Sequence, residues 1–323
     1  MKAIVISGYG PPERLQLRDV NKPTPGDGEV VLKVHAASLN AADVHLLTAD
    51  IVLVRLYAGL LKPKFSICGA DVAGRVEAVG NGVTRFQPGD EVVGDISGSG
   101  FGGLAEYARA RDDVLVPKPA NLSFAMAAAI PLAATTALQG LRDQGGLQAG
   151  QKVLISGASG GVGTFAVQIA KALGADVTAV CSTRNLDMVR ELGADHVIDY
   201  TREDFTQNGQ QYDLILAVNG YHSLSDYQRA LTPNGVYVMA GGTGRQILEA
   251  MTLGRLRSRS AGARFVVLTA RPSQKDLAFI LDLVEAGKVT PVIDRSYPLD
   301  QTADAFRYLI EEHARGKVVI TLD

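Results

Sequence analysis

The sequence predicts an α/β fold, with a doubly wound parallel sheet joined to a β-rich part. The apolar run Val153–Ile155 meets a glycine-rich turn and then residues at helical spacing from Thr164 to Leu173. Strand-like and helix-like segments alternate from there to Leu268, as a parallel sheet with crossover helices requires. Before Asn121, strand and turn signals dominate instead.

In chain order, Met1–Ile6 reads as a first strand, too short an apolar run for a signal peptide. Strands follow at Val30–Ala36, Val72–Val79 and Glu91–Gly94, the last after the turn Gln87-Pro88-Gly89-Asp90. Pro117, Pro119 and Asn121 mark a boundary, and Ser123 is the expected N-cap of a buried, kinked helical segment from Phe124 to Leu138. The alternating part has strands at Val153–Ile155, Asp176–Val180, His196–Ile198, Leu214–Val218, Val236–Ala240 and Arg264–Leu268. Its helices are expected at Thr164–Leu173, Leu186–Leu192, Ser223–Leu231 and Arg245–Leu253. A helix from Ser273 to Ala286 ends at Gly287, and an amphipathic one from Asp300 to Glu312 aligns Ala303, Phe306, Leu309 and Ile310. Lys317–Leu322 closes the chain as a strand, and this tail, too small for its own core, is expected to pack back on the N-terminal part.

The totals narrow the function. A chain of 323 residues with 46% hydrophobic and 20% charged residues suits a globular protein of about two domains. A formal charge of −2 gives no electrostatic reason to expect nucleic acid. Cys68 and Cys181 lie far apart, and His35, His45, His196, His222 and His313 do not cluster, which argues against a disulfide framework and a structural zinc site. The longest weakly polar stretch, Phe124–Leu138, is too short to span a bilayer, and a reducing cytoplasm is the expected location.

The turn carries the chemistry. A strand, a tight glycine turn and a helix together put unpaired N–H groups and a positive dipole end where a dinucleotide pyrophosphate sits. The match here is A-x-G-x-x-G, with Ala158, Ser159, Gly160, Gly161, Val162 and Gly163 as the expected cradle. Gly160 would admit the pyrophosphate, and Gly163 would let helix and strand pack closely.

Several further motifs appear in order. They are Gly69-Ala70-Asp71-Val72-Ala73-Gly74, Gly89-Asp90-Glu91-Val92-Val93-Gly94, Gly103-Leu104-Ala105-Glu106-Tyr107, Leu192-Gly193-Ala194-Asp195-His196 and Gly316-Lys317-Val318-Val319. Together with the turn, they resemble the medium-chain dehydrogenase/reductase superfamily, specifically its zinc-free quinone oxidoreductase-like branch, over nearly the whole chain. The resemblance implies a GroES-like catalytic domain from residues 1–121 with 273–323, and a Rossmann NADP-binding domain from 122–272, with the active site in the cleft between them. Zinc relatives carry Gly-His-Glu where this chain has Gly69-Ala70-Asp71, and a Cys or Asp ligand near Asn40. Three zinc ligands cannot be assembled here, so no metal is expected, and Cys68 reads as a small buried residue.

A carboxylate after the second strand of such a sheet favours NAD, whereas Arg favours NADP. Cys181-Ser182-Thr183-Arg184-Asn185 has no carboxylate, so NADPH is the expected cofactor. Ser182 either meets the 2′-phosphate or caps the next helix, and Arg184 either pairs with it or is solvated. Lys171, Tyr200, Asn219, Gly241, Gly242 and Lys317 resemble positions near the cofactor.

The resemblance also implies hydride transfer to a small lipophilic quinone, or to an enone (an alkene conjugated to a carbonyl). Asn40, in Asn40-Ala41-Ala42-Asp43, is either beside the reacting centre and nicotinamide ribose or a turn residue bonding its own backbone. Asp43 is expected to cap a helix. His45 is either a donor to a developing oxyanion or structural. The apolar segment from Leu46 to Pro63, with Tyr57, forms a lid, a lipophilic mouth, core packing or a dimer contact, and Phe101 lines the pocket or covers a core edge. A homodimer through an edge near Arg255–Leu268 is the family expectation. The competing functions are a non-catalytic NADPH-binding or redox-sensing protein and an alcohol or carbonyl dehydrogenase.

Overall fold

The computed structural model describes residues 1–50, 52–219, 222–242, 246, 249–250 and 262–322. In chain order the strands are β1 (Lys2–Ile6), β2 (Leu15–Asp19), β3 (Glu29–Leu39), β4 (Asp71–Val79), β5 (Glu91–Asp95), β6 (Tyr107–Arg111), β7 (Leu115–Pro117), β8 (Lys152–Ser156), β9 (Asp176–Cys181), β10 (His196–Asp199), β11 (Tyr212–Ala217), β12 (Leu231–Met239), β13 (Arg264–Val267), β14 (Ile293–Pro298) and β15 (Lys317–Thr321). The α-helices used below are α1 (Ala41–Thr48), α2 (Val52–Ala58), α3 (Phe124–Ala128), α4 (Pro131–Leu138), α5 (Gly161–Ala172), α6 (Leu186–Glu191), α7 (Leu224–Arg229), α8 (Gln274–Glu285) and α9 (Thr302–Glu311).

One compact unit comprises Met1–Ala133, Pro272–Glu285 and Pro291–Asp323. Its main sheet runs β14-β15-β3-β4-β5-β7, with β6 also paired to β3, and β1 pairs separately with β2. β3 is the hub. It is antiparallel to β15, β4 and β6, and its apolar residues Val30, Leu32, Val34 and Leu39 enter the core. The tail belongs to this unit, as expected: β15 is paired, and Ala305 and Phe306 of α9 are fully buried. The expected face of α9 holds for Ala303, Phe306 and Leu309, which lie in or against the core, and fails at Ile310. Thr302, Ala305 and Phe306 are buried, whereas Ile310 is exposed. The small Thr302 and Ala305 let the helix sit close on the core, and Ile310, on the last turn, stays outside it.

The boundary falls later than Asn121. α3 packs on β3, β4 and β15, and the Leu132 N–H donates to Asp71 at 2.8 Å, which holds residues up to Ala133 in this unit. The expected kinked helix is two helices. Ser123 Oγ accepts from Met126 N–H at α3, and Pro131, lacking a donor, begins α4.

The other unit comprises Ala134–Arg271 and Ala286–Thr290. The short second piece is held there because Gln168 donates to the Thr290 carbonyl at 3.0 Å and accepts from its N–H at 2.8 Å. Six parallel strands lie in the order β10-β9-β8-β11-β12-β13, and the order reverses between β8 and β11. α5 begins at Gly161, with Gly160 as N-cap, three positions before the predicted start. α7 stops at Arg229, since Leu231 already pairs in β12. Most of the predicted helix over 245–253 and the part of the expected dimer edge before residue 262 lie outside the described residues.

Candidate active site

Parallel strands end on one edge, so the residues after them are brought together. The turn Ala158–Gly163 follows β8, Ser182 and Arg184 follow β9, Tyr200 follows β10, Asn219 follows β11, and Gly241 and Gly242 follow β12. The two key glycines have different reasons to be glycine. A Cβ on Gly163 would lie 2.1 Å from the Gly157 carbonyl oxygen, so helix and strand pack too closely for any side chain. Gly160 has an ordinary backbone, φ −84° and ψ 178°, and the nearest atom to a Cβ there is 3.6 Å away. Among the described residues nothing requires glycine at 160. Its missing side chain leaves bare backbone before the first turn of α5, where N–H groups lack intrahelical acceptors, and this fits an incoming pyrophosphate.

Asn185 organises this edge, and the sequence reading missed it. Its side chain is buried and donates to Ser159 Oγ at 3.0 Å and Ser182 Oγ at 3.1 Å, tying the glycine turn to the end of β9. Its Oδ1 is a buried acceptor with no partner among the described residues. The only hint in the sequence is an Asn three positions after a strand-ending Ser. Lys171, by contrast, is committed to the fold. It donates to both Asp195 oxygens at 2.7 Å and to the Ala175 carbonyl at 3.3 Å.

The first unit holds a buried polar cluster. Strand register lines up Ser38 with Asp71 and Asp71 with Asp95 across β3, β4 and β5, and β15 brings in Lys317. Asp71 Oδ2 accepts from Ser38 Oγ and Asn40 Nδ2, each at 2.9 Å, and lies 3.4 Å from the Lys317 ammonium. Lys317 also donates to Asn40 Oδ1. Two residues expected near the cofactor thus meet each other: Lys317 is only 2% exposed and bonds to Asn40 and Asp71. The Asn40 amide is engaged by Asp71, Lys317 and the Ser38 carbonyl, which makes it a positioning residue at the start of α1. Asp43 reinforces that start by accepting from Asn40 N–H at 3.0 Å and from Gly69 N–H at 2.9 Å.

This crowding alters proton affinity. Burial pushes the Asp95 carboxyl up to about 7, helped by the charge on Asp71. Burial likewise raises Asp43 to about 6, against the two N–H bonds that favour its charged form. Burial pushes the Cys68 thiol well up, which keeps it unreactive, as the sequence reading expected.

α1 carries His45 on its last turn. Its Nδ1 lies 2.8 Å from Asp50 Oδ1, a partner the sequence reading did not name. Burial alone would raise Asp50, but hydrogen bonds from His45 and Thr48 outweigh it and keep the carboxyl low. The carboxylate at Nδ1 orients the ring. The expected pocket residues Tyr57 and Phe101 are linked through Phe65, with ring centroids 5.5 and 5.1 Å apart. Phe101 has a left-handed φ of 64°, strained for an aromatic residue.

Two tests follow. Gly163→Ala should lower thermal stability by several degrees, whereas Gly160→Ala should leave it within about a degree yet weaken dinucleotide binding at least about tenfold by calorimetry. Equal effects of both variants on stability would refute the open-cradle reading. For Asp95 and Asp43, the folded chain holds protons that the unfolded chain loses between about pH 4 and 7. Stability should therefore fall as pH rises through that window. Asp95→Asn should flatten the fall and exceed the parent stability at pH 8 by about 2–4 kcal/mol in denaturant titrations, and parallel pH curves would contradict it.

The alcohol dehydrogenase GroES-like domain family matches residues 26–120, and the zinc-binding dehydrogenase family matches residues 192–320. The chain is 36% identical to a chloroplast envelope quinone oxidoreductase homolog of Arabidopsis thaliana, over 99% of this chain and 98% of that one. It is 35% identical to an NADPH-dependent alkenal/one oxidoreductase of the same plant, over 99% of this chain and 79% of the relative. The solved quinone oxidoreductase from Coxiella burnetii superposes with a TM-score of 0.87 at 31% identity, covering 100% of this chain and 99% of that one. The zinc in one family description finds no fitting ligand set here. Both oxygens of Asp43 and of Asp71 are taken by hydrogen-bond donors, and among the described residues no three His, Cys, Asp or Glu side chains are grouped to hold a metal ion. The two family matches, the full-length relatives and the shared fold establish that the chain is an oxidoreductase and belongs to the medium-chain dehydrogenase/reductase superfamily, in its quinone oxidoreductase-like branch.

Proposed function

We propose that this protein is a zinc-independent, NADPH-dependent reductase of quinones or of alkenes conjugated to a carbonyl. The observation that carries the reading is the bare Gly160 backbone at the start of α5, beside the Ser159–Asn185–Ser182 clamp. The relatives named for quinone and alkenal/one reduction support the substrate class.

The cofactor preference rests on charge. No carboxylate follows β9 before α6, and Arg184 is exposed there. The nearest acid in register is Asp199, opposite Cys181. It is already committed to the Thr183 hydroxyl at 2.6 Å, the Thr201 hydroxyl at 2.7 Å and the Thr201 N–H at 3.0 Å. A guanidinium after β9, with no carboxylate in the same segment, favours a 2′-phosphate.

When bound, the nicotinamide supplies the hydride, and the protein supplies position and a proton route. Asn40 and Asp43 fix the start of α1, and that helix carries His45. Asp50 holds the imidazole through Nδ1, so Nε2 can deliver a proton to the enolate or quinolate oxygen of the product.

The deciding measurement is cofactor consumption by chelator-treated protein, with an ortho-quinone and an α,β-unsaturated ketone, using NADPH and NADH in parallel. Turnover should survive chelation and favour NADPH. Arg184→Ala should raise the KM for NADPH about tenfold to a hundredfold while changing that for NADH little. Chelator-sensitive turnover, NADH preference or NADPH binding without turnover would each overturn part of the reading. His45→Phe should lower kcat about tenfold or more while leaving the KM for NADPH within about twofold, and an unchanged kcat would sink the proton-delivery role.

A further inference from the structure

The segment from Leu46 to Pro63 resolves into a specific surface. Helix α2 already buries one face: Ala58 lies in the core and Val54 packs against it. What the core leaves outside is unusually apolar. Leu56 is 65% exposed, Tyr57 59%, Leu60 63% and Leu61 92%. Thus four of the eight large hydrophobic side chains exposed among the described residues fall within six consecutive positions.

The turn presenting them is built. Gly59 has φ +112°, and a Cβ there would strike the Lys62 carbonyl oxygen at 2.2 Å. Tyr9 Oη donates to the Gly59 carbonyl at 2.6 Å, and Lys64 N–H donates to the Ala58 carbonyl at 2.6 Å. Leu60 and Leu61 are therefore held outward by bonds on both sides of the turn.

Charge surrounds this apolar tip. Residues 51–68 contain Arg55, Lys62 and Lys64 and no acidic residue, in a chain whose formal charge is −2. Arg55 donates to the Ala49 carbonyl at 3.2 Å and lies over the Tyr9 ring, and Lys64 lies over the Phe65 ring. Among the described residues, none of the three cations pairs with a carboxylate.

We infer that the turn from Leu56 to Lys64 is a docking surface for an anionic lipid bilayer, with Leu56, Leu60 and Leu61 entering the headgroup–acyl boundary and Arg55, Lys62 and Lys64 on the lipid charge. Apolar tips interleaved with long cationic side chains match an interface that is apolar below and anionic above. A second copy fits this surface poorly. A two-fold contact would set the three cations of one copy against the same three of the other. Docking is independent of the chemistry. Its use, admitting a lipophilic quinone from the bilayer near Tyr57, rests on the function proposed above.

The test is cosedimentation of the full chain, without cofactor or substrate, with phosphatidylcholine vesicles and with mixed phosphatidylcholine–phosphatidylserine vesicles. At low salt the protein should pellet with the mixed vesicles and stay in solution with the neutral ones, and about 0.5 M salt should release it. Lys62→Glu with Lys64→Glu should reduce partitioning at least about tenfold, and Leu60→Ser with Leu61→Ser by a similar factor, with the parent melting temperature retained in both. Equal partitioning to neutral and anionic vesicles, no binding at low salt, or full binding by the serine variant would overturn the inference. So would a change of oligomeric state in the serine variant by light scattering, which would assign the surface to a contact between copies. Loss of vesicle binding with quinone turnover intact would separate this inference from the proposed activity.

Discussion

A lysine ammonium withdrawn from water needs both an opposite charge and lone pairs, and Lys317 finds them on Asp71 and Asn40. The partners come from strands far apart in sequence, so the cluster forms only when β15 has closed onto β3 and β4 has paired beside it. Buried pairs of this kind contribute little net stability, yet removing one partner costs about 3–5 kcal/mol, because the other is left charged and unmatched. What the cluster secures is position. Asp71 also receives the Leu132 N–H, and Asn40 starts α1. The tail, the central strands, the entry to α4 and the helix bearing His45 thus share one electrostatic centre.

That centre is over-supplied with carboxylates. Asp43 and Asp95 both lie near Asp71, and burial together with that neighbouring charge raises the proton affinity of both. Here the Lys317 ammonium, the Ser38 hydroxyl, the Asn40 amide and backbone N–H groups take the oxygens of Asp43 and Asp71.

The nucleotide edge follows a different logic. It is made almost wholly of backbone, and its specificity lies in what is missing. Gly163 is bare because the fold leaves no room, whereas Gly160 is bare although the fold would allow a side chain. Side chains enter only to tune it. Asn185 holds two hydroxyls in place, and Asp199 accepts from the Thr183 and Thr201 hydroxyls.

Much of this was legible in the linear chain. The apolar runs of β8, β9 and β11 are buried on both faces of a parallel sheet, so each reads as an unbroken hydrophobic stretch, and the glycine spacing after β8 marks the turn. β2 and β14 were not legible, because most of their side chains face solvent and leave no apolar pattern. β6 and β7 were too short or too rich in alanine and proline to stand out. The site divides in the same way. Local order determined the glycine cradle, the Ser182–Arg184 segment and the apolar turn after α2, since each lies within a few consecutive residues. Only tertiary structure decided that Lys317 turns inward to Asn40, that Asn185 joins two loops, that Asp50 backs His45, and that Leu60 and Leu61 face out. Hydrogen bonds between distant strands, and the choice of which face meets the core, depend on distances in space that residue order does not encode locally.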